Sequence, residues 1–101
     1  IVFVSHECIP CQRLGKNLRW FQDKWGDLAH LVKVDVRKHM RIAMDFNIRG
    51  VPTMVIYRNR KRLMVVSGER SKGELKKLFK NVQIAHEPTT VKRSFLSSLL
   101  G

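Results

Sequence analysis

Apolar residues in this chain switch back and forth between two spacings, and that alternation limits the fold more than any other feature. Ile1-Val2-Phe3-Val4 is a short uninterrupted apolar run, read as a buried strand. Leu14, Leu18, Phe21 and Trp25 then recur three and four positions apart, which is one face of an amphipathic helix. Arg13, Lys16, Arg19 and Lys24 fall off that stripe, and Gly26 is placed to stop it. Residues 31–36 alternate with three valines in step, a strand signal, and Lys38 to Asn47 carries Met40, Ala43, Met44 and Phe46 in a short helical pattern. After Gly50-Val51-Pro52 comes a strand, Thr53-Met54-Val55-Ile56-Tyr57, and Leu63-Met64-Val65-Val66 returns from it as a hairpin. Ser71-Lys72-Gly73-Glu74 has the form of a capping box, ahead of Leu75, Leu78, Phe79 and Val82 at helical spacing. Strands alternating with helices require crossover connections. The expected fold is therefore α/β, a central mixed sheet with helices on both faces and the late hairpin as its antiparallel edge.

A chain of 101 residues, 44% apolar, can fill one core and not two ordinary domains. Residues 1–84 are expected to form that domain. Residues 85–101 read as a separate extension, helical, with Val91, Phe95, Leu96, Leu99 and Leu100 forming an apolar stripe. No apolar stretch approaches the roughly 18 residues of a membrane span, so none is expected.

Two cysteines are too few to staple a fold that lacks a core. Their placement is more informative. Cys8-Ile9-Pro10-Cys11 falls where the first strand ends and the first helix begins. Two intervening residues let the sulfurs reach bonding distance, and a helix N-terminus puts free backbone N–H groups and the positive dipole end beside the first thiol. Both favour thiolate, so Cys8 is expected to attack in disulfide exchange, and Cys11, one turn further in, to be the more buried resolving thiol. Two alternatives stay open at this point. Cys-x-x-Cys is also half of a zinc site, but His6, His30, His39 and His86 supply no second ligand pair at short spacing, so no metal is expected. An iron-sulfur cluster bridging two copies is the other.

From Ile1 to about Val82 the ordered motifs resemble the thioredoxin family. Cys8-Ile9-Pro10-Cys11 is similar to the family's active-site tetrapeptide, and Ile48-Arg49-Gly50-Val51-Pro52-Thr53 to its cis-proline segment. The interval between them is that of a thioredoxin without insertion. Gly68 and Ser71-Lys72-Gly73-Glu74-Leu75 look like the family's later glycine and last-helix start. The resemblance implies a thioredoxin-like fold and a thiol-disulfide oxidoreductase that reduces or exchanges disulfides of protein substrates. It implies a thioredoxin-reductase-like electron donor and no cofactor beyond the redox-active Cys8–Cys11 disulfide. Substrate contact is expected from Ile9, Pro10, Arg49, Val51, Pro52 and Gly68, with Val51 offering backbone hydrogen bonds. The expected compartment is the cytoplasm, with an extracytoplasmic setting open. Glutathione is less expected as a ligand, because glutaredoxins place the proline in the other dipeptide slot.

The chain departs from the family pattern at several positions. Glu7 replaces the usual aromatic residue and should raise the Cys8 pKa by like-charge repulsion, an effect that a protonated His6 offsets. Ile9 replaces a glycine and narrows the rim. Val2 replaces the buried carboxylate that helps move the proton of the second cysteine, leaving Glu7 or Asp35 as candidate bases, while Lys33 matches the lysine that accompanies it. Typical members also have a strand and helix before the point where this sequence starts, so a lost segment or a smaller variant is expected.

Charge is the last feature. Twenty Lys and Arg against eight Asp and Glu give +12, enough to attract acidic proteins or nucleic acid over distance. Four of those charges crowd Arg58-Asn59-Arg60-Lys61-Arg62, expected at the end of the sheet away from the cysteines. Arg37, Lys38, His39 and Arg41 form a second group, and Arg49 lies beside the cis-proline segment. The alternative function is thus an interaction or adaptor protein that binds an acidic partner, or less readily nucleic acid, through this basic surface.

Overall fold

A computed structural model describes residues 1–26 and 29–85, with no account of the side chains of 83–85. The expected extension at 85–101, with its stripe from Val91 to Leu100, lies outside the described residues apart from Ala85, which ends the last helix. The elements are β1 (Val2–Val4), α1 (Ile9–Trp25), β2 (Lys33–Asp35), α2 (Met40–Asp45), β3 (Thr53–Arg58), β4 (Lys61–Ser67) and α3 (Lys72–Ala85). Their order is the one read from the apolar spacing.

One mixed sheet runs β2-β1-β3-β4. β1 lies parallel to β2 through the α1 crossover and antiparallel to β3, and β3 and β4 form the antiparallel hairpin. Hydrogen bonds continue past β1, with the Val55 N–H donating to the Ile1 carbonyl at 2.8 Å. The hairpin closes through Asn59 and Arg60, both at positive φ (52° and 67°), the pairing of a type I′ turn. Asn tolerates that conformation; Arg does not do so readily.

The two sheet faces are covered unequally. Val2, Met54, Ile56 and Val66 pack against Leu14, Leu18 and Phe21 of α1 and Leu75 and Val82 of α3, forming the main core. Phe21 and Phe79 stack with ring centroids 4.8 Å apart, joining the two helices. On the opposite face Phe3 and Val55 are buried, with Phe46 5.3 Å from the Phe3 ring. The short helix read from Lys38 to Asn47 is present as α2. The helix is six residues long, and of the pattern Met40, Ala43, Met44 and Phe46 only Ala43 is buried, while Met40 and Met44 are exposed.

The helix signals act as expected, with one change. Ser71 and Glu74 form the reciprocal capping box: the Ser71 N–H donates to Glu74 Oε1 (2.8 Å) and the Glu74 N–H to Ser71 Oγ (3.1 Å). Gly26 caps α1 but holds a right-handed φ of −60°, so its role does not depend on glycine's access to positive φ.

Candidate functional site: the Cys8–Cys11 turn and the cis-Pro52 groove

Cys8 is the N-cap of α1, in extended conformation, and its sulfur accepts the Cys11 N–H at 3.2 Å. A sulfur thus does what Ser or Asp does at other helix starts, and satisfies one of the free amides. Pro10 sits in the first helical turn, where no N–H is needed. Cys11 begins the buried stripe that continues through Leu14, Leu18 and Phe21, and it is 6% exposed, whereas Cys8 is half-buried and Ile9 stands exposed at the rim. The cysteine Cα atoms are 5.1 Å apart and the sulfurs are joined as a disulfide. Helical spacing therefore sorts the pair into an accessible and a buried sulfur.

The turn before Cys8 holds a feature that the sequence did not announce. Glu7 has φ of 60°, the left-handed region that favours glycine. Its side chain and that of His6 are exposed.

The second half of the site is the loop into β3. The Val51–Pro52 peptide is cis, as the resemblance implied. The Pro52 carbonyl accepts the Gly68 N–H (2.9 Å), and the buried Thr53 hydroxyl donates to the Gly50 carbonyl (2.7 Å). Gly68 has φ of 88°, a conformation that requires glycine here. A groove of about 530 Å³ gathers Arg49, Val51, Pro52 and Gly68, four of the expected contact residues. The others, Ile9, Pro10 and the cysteines, stand at the head of α1.

An ion pair ties the halves together. Arg13, two positions after Cys11, donates through Nε and Nη2 to the Glu69 carboxylate beside Gly68, both at 2.7 Å. The bond from Arg13 holds the Glu69 carboxyl below its ordinary range and raises the Arg13 guanidinium in turn. Asn17 adds a bond to the Arg70 carbonyl (2.9 Å). Sequence reasoning missed this pair because nothing local couples positions 56 apart.

The candidate bases are narrowed by geometry. The Asp35 carboxylate accepts the Arg37 N–H (2.9 Å) and the Lys38 N–H (3.4 Å), and the Arg37 bond above all lowers its pKa. These bonds commit it to the turn after β2 and favour its charged form. Val2, in place of a buried carboxylate, lines a cleft of about 470 Å³ together with Cys11, Lys16, Arg19 and Lys33. Among the described residues no acidic side chain borders that cleft.

Charge at the hairpin is also placed more finely than expected. The tip does lie at the far end of β4 from Gly68, yet Arg62 lines the same groove as Pro52. Among the described residues no group of three or more His, Cys, Asp or Glu could hold a metal, and no helix is long and apolar enough to cross a membrane.

A family model described as Thioredoxin matches residues 1–81. The chain belongs to the thioredoxin family. Rice thioredoxin Y, described as chloroplastic, is 36% identical over 59 residues, covering 58% of this chain and 35% of that protein. The Arabidopsis thaliana protein named NADPH-dependent thioredoxin reductase 3 is 28% identical over 74 residues, covering 73% of this chain and 14% of that protein. A solved mutant thioredoxin from Halobacterium salinarum superposes with a TM-score of 0.72 at 28% identity, covering 79% of this chain and 69% of that one. The chain thus spans well under two thirds of these curated relatives. As a thioredoxin it keeps the dithiol pair, the cis-proline loop and Gly68, and departs at Val2, Glu7 and Ile9.

Proposed function

We propose that this chain catalyses thiol-disulfide exchange with protein disulfides. The observation that carries the reading is the disulfide at the start of α1, with Cys8 accessible and Cys11 buried. In the reduced protein the helix N-terminus favours the Cys8 thiolate. Cys8 Sγ attacks one sulfur of the substrate disulfide; a bond forms between them, and the second substrate sulfur leaves as a thiolate that takes up a proton. Cys11 then loses its proton and attacks Cys8 Sγ. The Cys8–Cys11 disulfide forms, and the first substrate sulfur departs as the second thiol. Two electrons pass from the cysteine pair to the substrate. Among the described residues water is the acceptor available to the Cys11 proton in the cleft beneath it, and the cations Lys16, Arg19 and Lys33 that line the cleft stabilise the thiolate left behind.

Val51 and Pro52 shape the groove in which an extended substrate lies, and Ile9 and Pro10 meet the substrate beside Cys8 at the head of α1. The pair is re-reduced by an electron donor of the thioredoxin-reductase type. That assignment is supported by the stretch of likeness to a protein named as such a reductase. The cysteine pair is the only redox group the cycle requires, and the cytoplasm is the compartment in which a reduced pair is maintained.

Insulin reduction with dithiothreitol tests this reading. Wild type should accelerate precipitation, Cys8→Ser should abolish the acceleration, and Cys11→Ser should accumulate a mixed disulfide with the substrate. Acceleration by Cys8→Ser equal to wild type would sink the assignment.

A further inference from the structure

The groove beside Pro52 holds more positive charge than exchange itself needs. Arg49 stands on its rim at the redox end, and Arg62 at the far end of β4. Both are exposed, and among the described residues no acidic side chain lines the groove. Among the described residues Arg49 reaches only Asn47 Oδ1, at 3.5 Å, and the ion pair is Arg13–Glu69, which involves neither arginine.

Arg62 is on this face because of an irregularity in the hairpin. Met64 pairs with Ile56, but Arg62, and not Leu63, pairs with Tyr57. That bulge gives β4 one extra residue. Without it Arg62 would alternate onto the α1–α3 face; with it Arg62 shares the face of Val65 and Thr53 and points charge along the groove. Between the two arginines Val65 presents an apolar patch, 51% exposed, and Tyr57 stands 43% exposed across from Arg62. From Ser67 to Arg62 the strand covers about 17 Å at roughly 3.3 Å per residue, the length of about five residues of extended peptide.

We propose that this groove selects disulfide proteins in which acidic residues lie within about six positions of the reacting cysteine along an extended segment. The inference rests on the exchange function above and names its substrate class. The segment enters at Val51, lays an apolar side chain on Val65 and pairs carboxylates with Arg49 and Arg62. Arg58, Arg60 and Lys61 add positive potential at the far end and raise the rate of encounter. An acidic peptide fits better than nucleic acid because the groove has one exposed aromatic ring near it and ends at a loop adapted to extended backbone.

The test compares kcat/KM for short peptide disulfides that differ only in carrying Glu, Ser or Lys at positions two to six from the cysteine. At about 0.02 M salt the Glu peptide should exceed the Lys peptide by about tenfold, and at about 0.5 M salt by less than about twofold. Arg62→Glu should remove most of that contrast, and Arg62→Gln about half of it. The same charge reversal at Lys80, exposed on α3 behind the sheet, should leave it intact. Thermal melts establish that each variant is folded. Equal turnover of all three peptides by wild type overturns the inference while leaving the exchange function in place; failure to turn over even the Ser peptide overturns the function itself. Loss of contrast in Lys80→Glu equal to that in Arg62→Glu overturns the groove in favour of net charge. Stronger inhibition by a single-stranded oligonucleotide than by a Glu peptide of equal charge overturns it in favour of nucleic acid.

Discussion

The two faces of the sheet divide the work of the molecule. On the α1–α3 face, helices of 17 and 14 residues close over Val2, Met54, Ile56 and Val66. On the other, a six-residue helix covers Phe3 and Val55 and leaves Met40, Ile42, Met44, Tyr57 and Val65 exposed. The first face is where burial supplies stability. The second is thin, and the thinness is what leaves a groove beside Pro52. A residue's cost on substitution should therefore depend on which face it belongs to more than on its size.

The largest expected effect is on the thick face. Leu14 and Leu75 are fully buried, and Leu14→Ala or Leu75→Ala should each cost about 2–5 kcal/mol of unfolding free energy in a denaturant titration. A loss below about 1 kcal/mol would place the core elsewhere. A gain is expected at the hairpin. Arg60→Gly relieves a left-handed arginine at φ 67° and should raise stability by about 1 kcal/mol, seen as a higher Tm; a lower Tm would show that the Arg60 side chain makes a stabilising contact.

A smaller effect concerns the ion pair that joins the halves of the site. The folded Glu69 pKa lies below its unfolded value near 4.5, chiefly through the Arg13 bond. Between those two values the unfolded chain binds more protons, so this contribution is complete above about pH 4.5 and is lost as pH falls through the folded pKa. Glu69→Gln should flatten that part of the stability-pH curve and leave the curve above pH 6 parallel to wild type. An unchanged acid limb would mean that the pair does not persist in solution. The smallest effect belongs to the thin face: Val65→Ser should change stability by less than about 0.5 kcal/mol. A loss comparable to that of Leu14→Ala would erase the contrast between the faces.

Local signals were readable from the chain; signals that depend on register were not. The stripe from Cys11 to Phe21, the Ser71–Glu74 box and the turn at Asn59 each involve residues within one or two turns of each other. The cysteine pair and Pro52 were legible for the same reason, with motif order adding their relation. Arg62 lies at the hairpin end, as the strand directions imply, but which face it takes was not readable, because the bulge that sets it has no local signature. Met40 and Met44 fit a helical period without being covered, since a six-residue helix has only one buried position, Ala43. The Arg13–Glu69 bond joins α1 to the loop between β4 and α3, which meet only after the sheet has formed.

The cleft under Cys11 opens between α1 and β2, while the Pro52 groove opens on the α2 side of the sheet. A protein held in the groove leaves that cleft open behind it. The buried sulfur can therefore exchange protons with water through a back door while the front of the molecule is occupied. In the proposed exchange the loss of the Cys11 proton need not wait for the guest to leave, and the pH of the bulk reaches the resolving cysteine even within the mixed disulfide.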